Sequence, residues 1–126
     1  FSCSEEDYKQ FLFEEQIAIF PWSSQARGFF LQNQEFQGAA HGADPNFEEQ
    51  RRVWHSEENL ERRKRCFALA IEIKAEPIQV ALSFVIHQSF PSFPLIGPRN
   101  FFETESSLKA LNLDISDDQI KWLDGK

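Results

Sequence analysis

Phe20-Pro21-Trp22-Ser23-Ser24-Gln25-Ala26-Arg27-Gly28-Phe29-Phe30 follows directly on Ile17-Ala18-Ile19, and this stretch decides how the chain is read. The run Ile17-Ala18-Ile19-Phe20 is continuous, apolar and of strand length, as expected for a parallel strand covered on both faces. It ends in an aromatic residue, two hydroxyls, an arginine and a glycine. A second unit of the same design, Phe93-Pro94-Leu95-Ile96-Gly97-Pro98-Arg99, leads into a helical run from Asn100. A glycine and an arginine at the C-terminal ends of two strands predict anion-binding loops on one face of an α/β protein.

Helices surround these two units. Ser4, with Asp7 in the capping-box slot, predicts a helix to about Gln16 whose buried stripe is Tyr8, Phe11 and Leu12. Residues 32–46 are rich in Gln, Gly, Ala and Asn and read as a long loop, followed by a short helix over 47–54. Ser56 caps a longer helix to about Lys74, with Glu57 and Glu58 at its positive end and an apolar side through Leu60, Lys64, Phe67, Leu69, Ala70 and Ile71. Pro77 suits the first position of the next helix, which runs to about His87. A helix over about 101–111 follows the second strand, and Ser116 with Asp117 and Asp118 caps the last one, which carries Ile120 and Leu123. The order is α/β, with the two strands far apart in sequence.

The 126 residues suffice for one domain with a core, and 41% apolar with 26% charged residues is ordinary for a globular protein. The net charge of −7 argues against a nucleic-acid partner. Arg62-Arg63-Lys64-Arg65, alternating with Glu57, Glu58 and Glu61, reads as the solvated face and end of a helix. No apolar stretch reaches the roughly 20 residues that span a bilayer, no signal-peptide pattern opens the chain, and no membrane partner is expected. Cys3 and Cys66 are too far apart to suggest a metal or redox site, which fits a reducing cytoplasm. His41, His55 and His87 lack ligand spacing, so no metal is expected, and His87 reads as a packing residue. The chain contains no methionine, which predicts a fragment, a processed product or an incomplete gene model, the fragment being the favoured reading.

The two glycine–arginine units resemble the last two cofactor-binding strands of the aldo/keto reductases. The resemblance covers nearly the whole chain. It is strongest over 20–30 and over 59–123, where Asn59-Leu60-Glu61-Arg62-Arg63, Pro77-Ile78-Gln79-Val80-Ala81-Leu82, the second strand unit and Leu108-Lys109-Ala110-Leu111 follow in order. It implies an α/β fold, the C-terminal part of a (β/α)8 TIM barrel with the last two strands and their helices, and a single partial domain over 1–126. It also implies an NADP(H)-dependent reduction of aldehydes and ketones, with the nicotinamide cofactor and a small carbonyl substrate as partners of the whole protein.

Carried over by position, Trp22 resembles the aromatic that stacks under the nicotinamide ring; on the residues alone it reads as a core tryptophan. Ser23, Gln25 and Gly28 match the loop around the pyrophosphate, and Arg27 either adds charge there or lies on the surface. Gly97 lets the backbone approach the ligand. Arg99 resembles the residue whose guanidinium pairs with the adenosine 2′-phosphate, the basis for preferring NADPH. Glu103 and Ser107 stand where the family often places Gln and Asn against the adenosine. Here the sequence departs from the pattern, because glutamate repels phosphate and serine reaches less far.

The family's chemistry also needs a proton-donating tyrosine tuned by a lysine, an aspartate and often a histidine, all on earlier strands. Tyr8 is the only tyrosine; it lies with Asp7 and Lys9 on an acidic helix rather than at a strand end, so no catalytic residue is expected in this chain. Two strands cannot close a barrel of eight. The chain alone is therefore expected to be inactive, with exposed strand edges that favour aggregation. The competing reading is a non-catalytic remnant, an interaction or structural module that pairs with another half-barrel or binds a partner through its apolar face; a third is a generic α/β domain with no cofactor.

Overall fold

The computed structural model describes residues 6–31 and 52–126. The expected cap at Ser4, Cys3, the loop over 32–46 with His41, and the first part of the 47–54 helix lie outside them. Helix α1 runs over Glu6–Glu14, α2 over Glu57–Glu72, α3 over Pro77–Ile86, α4 over Phe101–Lys109 and α5 over Asp117–Asp124. A 3-10 turn, Ala110–Asn112, extends α4.

Local chemistry sets the helix starts. Ser56, Asn100 and Ser116 each accept a hydrogen bond from the backbone N–H three residues on, which satisfies one of the donors a helix leaves unpaired at its start. Pro77 opens α3, where its missing N–H costs nothing, and the Gln79 side chain accepts from the Glu76 N–H at 3.1 Å. The ends share one device. After α1, α2 and α5 the chain passes through a left-handed residue, Gln16 (φ 51°), Lys74 (φ 57°) or Gly125 (φ 90°). The next amide then bonds five residues back: Ile17 to Leu12, Ala75 to Ala70, Lys126 to Lys121. This is the Schellman arrangement, and only the last of the three uses the glycine that suits it.

The core lies between helices. α2 packs on α3 and α5, and α3 packs on α4 and its 3-10 turn. Cys66, Leu69 and Ala70 from α2 meet Val80 and Ala81 from α3, Ile115, and Leu123 from α5. The apolar side of α2 thus differs from the one expected: Cys66 belongs to the core, whereas Ile71 is 80% exposed and Lys64 is exposed. Positions 66, 69, 70 and 73 share one face at helical spacing, and residue 71 points about 100° away from 70. On α1, Leu12 is buried but Phe11 stays half exposed.

The two segments expected to be strands do meet, side by side and parallel, through one bridge that pairs Ile19 with Ser92. Three backbone bonds hold them: Ile19 N–H to Pro91 O, Phe93 N–H to Ile19 O, and Leu95 N–H to Pro21 O, each 2.9 Å. No longer strand forms among the described residues, and proline supplies the reason. In parallel register the next donors would be residue 21 toward Phe93 and residue 91 toward Ile17. Both are prolines without an N–H, so the ladder misses a rung at each end. Apolar side chains here remain in water, Phe20 and Phe93 stacking on each other with ring centres 5.5 Å apart.

The basic run on α2 is not simply a solvated face. Arg63 donates to the carbonyls of Phe29 (2.8 Å) and Leu31 (3.0 Å), and its guanidinium lies 4.2 Å from the Phe67 ring centre. Arg65 donates to Leu123 O at 3.3 Å. Arg62 reaches Asp124 (3.5 Å), which also accepts from Lys9 at 3.1 Å, so the charges tie α1, α2 and α5 together. Local partners remain as well: Arg62 pairs with Glu58 at 2.7 Å, and Lys64 with Glu61.

Candidate functional site

The parallel pairing brings the ends of both segments to one place. Beyond Pro21 the chain enters a tight loop in which Ser23, Ala26, Arg27 and Gly28 all have positive φ, between 49° and 86°. Backbone bonds from Ala26 to Ser23 (2.7 Å), Gly28 to Gln25 (3.1 Å) and Phe29 to Ala26 (3.0 Å) wind it into a single left-handed turn. Left-handed backbone is costly for residues with a Cβ, and such strain concentrates at ligand-binding loops. Behind the turn, Ala26 and Phe29 are buried and Arg63 clamps the Phe29 and Leu31 carbonyls. The loop therefore stands on a fixed base.

Two side chains join this loop to the second unit. Ser24 Oγ donates to Leu95 O at 3.1 Å, and Gln25 Nε2 donates to Ser107 Oγ at 3.1 Å. Ser107 is buried and donates in turn to Glu103 O at 2.8 Å. Gln25 and Ser107, both expected to face a ligand, are hydrogen-bonded to each other. That pair fixes the 22–28 loop against α4. Ser24, which the sequence did not single out, is the second tie, and no local pattern distinguishes its hydroxyl from that of Ser23.

Trp22 is 78% exposed and offers an open apolar face among the described residues. The Ser23 hydroxyl has no hydrogen-bond partner among the described residues. Gly97 has ordinary φ, and a Cβ built there would meet no protein atom within 4 Å, so nothing in the chain itself demands glycine at this position. Gly28, at φ 86°, does need it.

Arg99 and Glu103 meet directly. Glu103 accepts from the Arg99 backbone N–H at 2.7 Å, from Arg99 Nη2 at 3.0 Å and from Arg99 Nε at 3.2 Å. Asn100 caps α4 on the Glu103 N–H (3.0 Å) and turns its own amide toward the same carboxylate at 3.4 Å. The Arg99 N–H foremost, then its guanidinium, hold the Glu103 carboxyl below its usual range. An arginine and a glutamate expected at two points along a ligand thus form one closed unit. Asn100 is a further site residue, legible as a cap but not as a partner of Glu103.

Other titratable groups are poor candidates for chemistry. Burial pushes the Cys66 thiol up to about 12, and its Sγ rests 3.0 Å from Pro77 O, which marks an inert packing residue. His87 pairs with Ser83 on its own helix. Among the described residues no group of three potential ligands could hold a metal ion, and no helix is long and apolar enough to cross a membrane.

Comparison with known proteins follows the same lines. The model of the aldo/keto reductase family matches residues 2–126. Norsolorinic acid reductase stcV of Emericella nidulans is 27% identical over 124 residues, 94% of this chain and 30% of that protein. Norsolorinic acid reductase of Aspergillus flavus is 24% identical over 127 residues, and norsolorinic acid reductase A of Aspergillus parasiticus 26% over 110. The chain spans about 30% of the length of the first two and 26% of the third. No solved structure matches it significantly.

Proposed function

The chain belongs to the aldo/keto reductase family, and from that premise we propose that it forms the cofactor-holding part of an oxidoreductase that reduces an aldehyde or ketone. The single observation that carries this reading is the convergence of the two glycine–arginine loops at one end of a parallel pair, tied by Ser24 to Leu95 and by Gln25 to Ser107. Loops beyond the C-terminal ends of parallel strands are where barrels of this type place their sites. In this reading the paired segments are neighbours in a (β/α)8 barrel, and the remaining strands of the whole protein cover Phe20, Phe93 and Leu95.

The residues present fit the body of a nicotinamide dinucleotide. Trp22 offers a flat apolar face for one side of the ring, and the Ser23 hydroxyl, with no partner among the described residues, suits a phosphate oxygen. When bound, the dinucleotide supplies the hydride. The work of these residues is to fix which ring face is presented, with Gly28 allowing the chain to turn close beside the phosphates. Arg99, closed on Glu103, is the group placed at the adenosine end of the cofactor in this reading. No residue of this chain is assigned the proton transfer, which falls to the remainder of the protein, in the cytoplasm.

The test is a titration of the natural-length protein with NADPH and NADH, followed by quenching of tryptophan fluorescence. Saturable binding that weakens about tenfold or more in Trp22→Ala, with consumption of the reduced cofactor on adding a carbonyl compound, is the expected result. A protein that binds neither dinucleotide at millimolar concentration sinks the reading.

A further inference from the structure

Arg99, its backbone N–H and the amide of Asn100 converge on one point at the start of α4, and the anion at that point is the chain's own Glu103 carboxylate. The arrangement is built rather than incidental. Asn100 caps the Glu103 N–H, which fixes that residue in the first helical turn, and its side chain folds back over the helix start to meet Arg99. The pair contributes little to stability. The Arg99 side chain is 83% exposed and that of Glu103 37%, and exposed ion pairs add little net free energy.

A phosphate dianion would seek the same donors, since a guanidinium fork and a backbone N–H are what anionic oxygens bind best. It cannot share them with a carboxylate: two anions within about 4 Å repel, and one must leave. A ribose hydroxyl meets the opposite situation. It can donate to the carboxylate in place, which is how an acidic residue favours a dinucleotide without the 2′-phosphate.

We propose that Glu103 is a specificity-determining residue which occupies the seat Arg99 would offer a 2′-phosphate, so that the site accepts NADH at least as readily as NADPH. This rests on the reading that the 22–28 and 97–107 loops hold a nicotinamide dinucleotide. It goes beyond that reading in assigning the choice between the two cofactors to one contact within the chain.

Binding of each dinucleotide to the natural-length protein, by calorimetry, tests it in the wild type, in Glu103→Gln and in Glu103→Ala. Glutamine keeps the length and removes the charge, and the exposure of the pair leaves the fold unaffected. The expected wild-type affinities for NADH and NADPH lie within about threefold of each other or favour NADH. Both variants tighten NADPH about tenfold or more while NADH changes by less than about threefold, the scale of one charge-assisted contact regained. The gain for NADPH shrinks as salt is raised and disappears in Glu103→Gln/Arg99→Gln. A wild-type preference for NADPH beyond about tenfold, or a variant that shifts both cofactors alike or neither, overturns the proposal. Failure of every form to bind either dinucleotide overturns it too, but through the cofactor reading beneath it.

Discussion

In the helical layer Leu69, Ala70 and Val80 are at most 1% exposed, whereas in the paired segments Phe20, Phe93 and Leu95 keep more than half of their surface in water. Both regions carry large apolar side chains. They differ in what completes them. A helix makes its backbone bonds within itself and needs only one covered face, which α2, α3 and α5 give one another. A parallel strand needs a neighbour on each side and a layer on each face. Among the described residues each segment has one neighbour, and prolines 21 and 91 remove donors at both ends of the pairing. The buried residues of the helical layer close on one another, although Ile71, Phe101, Phe102 and Leu111 on its outside stay exposed, whereas Phe20, Phe93 and Leu95 of the segments have no such cover among the described residues.

The largest effect should separate these regions. Leu69→Ala removes a side chain from the finished core and should cost about 2–5 kcal/mol in urea unfolding of the natural-length protein, whereas Trp22→Ala should stay within about 0.5 kcal/mol. Equal losses would break the contrast. Next come the caps: Ser116→Ala should cost about 1 kcal/mol, because the Gln119 N–H loses its acceptor, with the Tm falling accordingly. Lys74→Gly should act in the opposite direction, stabilising by about 0.5–1 kcal/mol, since glycine takes the left-handed position without strain.

Smaller effects probe the paired segments. Pro21→Ala supplies the missing donor opposite Phe93 O. Hydrogen exchange should find the new amide protected, with stability changed by less than about 1 kcal/mol as the bond gained offsets the rigidity lost. A freely exchanging amide would show that the pairing stops at Leu95. The Glu103 carboxyl should titrate below the ordinary glutamate value in carbon NMR, because its ionised form is the bonded one. A carboxyl lowered in this way keeps its contribution above the unfolded value and loses it as pH falls through the folded one. The Arg99 contact should therefore persist at neutral pH and open only in acid. In Arg99→Gln the carboxyl should return toward its ordinary value.

Much of the helical layer was legible because its signals are local. Ser56, Pro77, Asn100 and Ser116 act within one turn, so reading four residues is enough to place each start. The Schellman ends at Gln16 and Lys74 were less legible, since neither residue advertises a left-handed turn. In the site, Trp22 is exposed and Gly28 is left-handed. Gln25 and Ser107 bond to each other, a pairing no local pattern announces, because a hydrogen-bonding side chain takes the partner that the fold brings nearest. Ser24 and Asn100 were passed over for the same reason: their partners, Leu95 O and the Glu103 carboxylate, are supplied by the folded arrangement.

By itself, the sequence determined where helices begin, which two segments are apolar enough to pair, and that each ends in glycine and arginine. Those are properties of neighbours along the chain, governed by caps, periodicity and allowed φ. Only the tertiary structure decided that Cys66 rather than Ile71 enters the core, that Arg63 clamps the 29–31 turn, and that Arg99 closes on Glu103. A long cationic side chain can reach many acceptors, and geometry within about 3 Å selects one. Arg99 stands one residue ahead of the α4 cap, outside the helix whose spacing rules would have announced its partner.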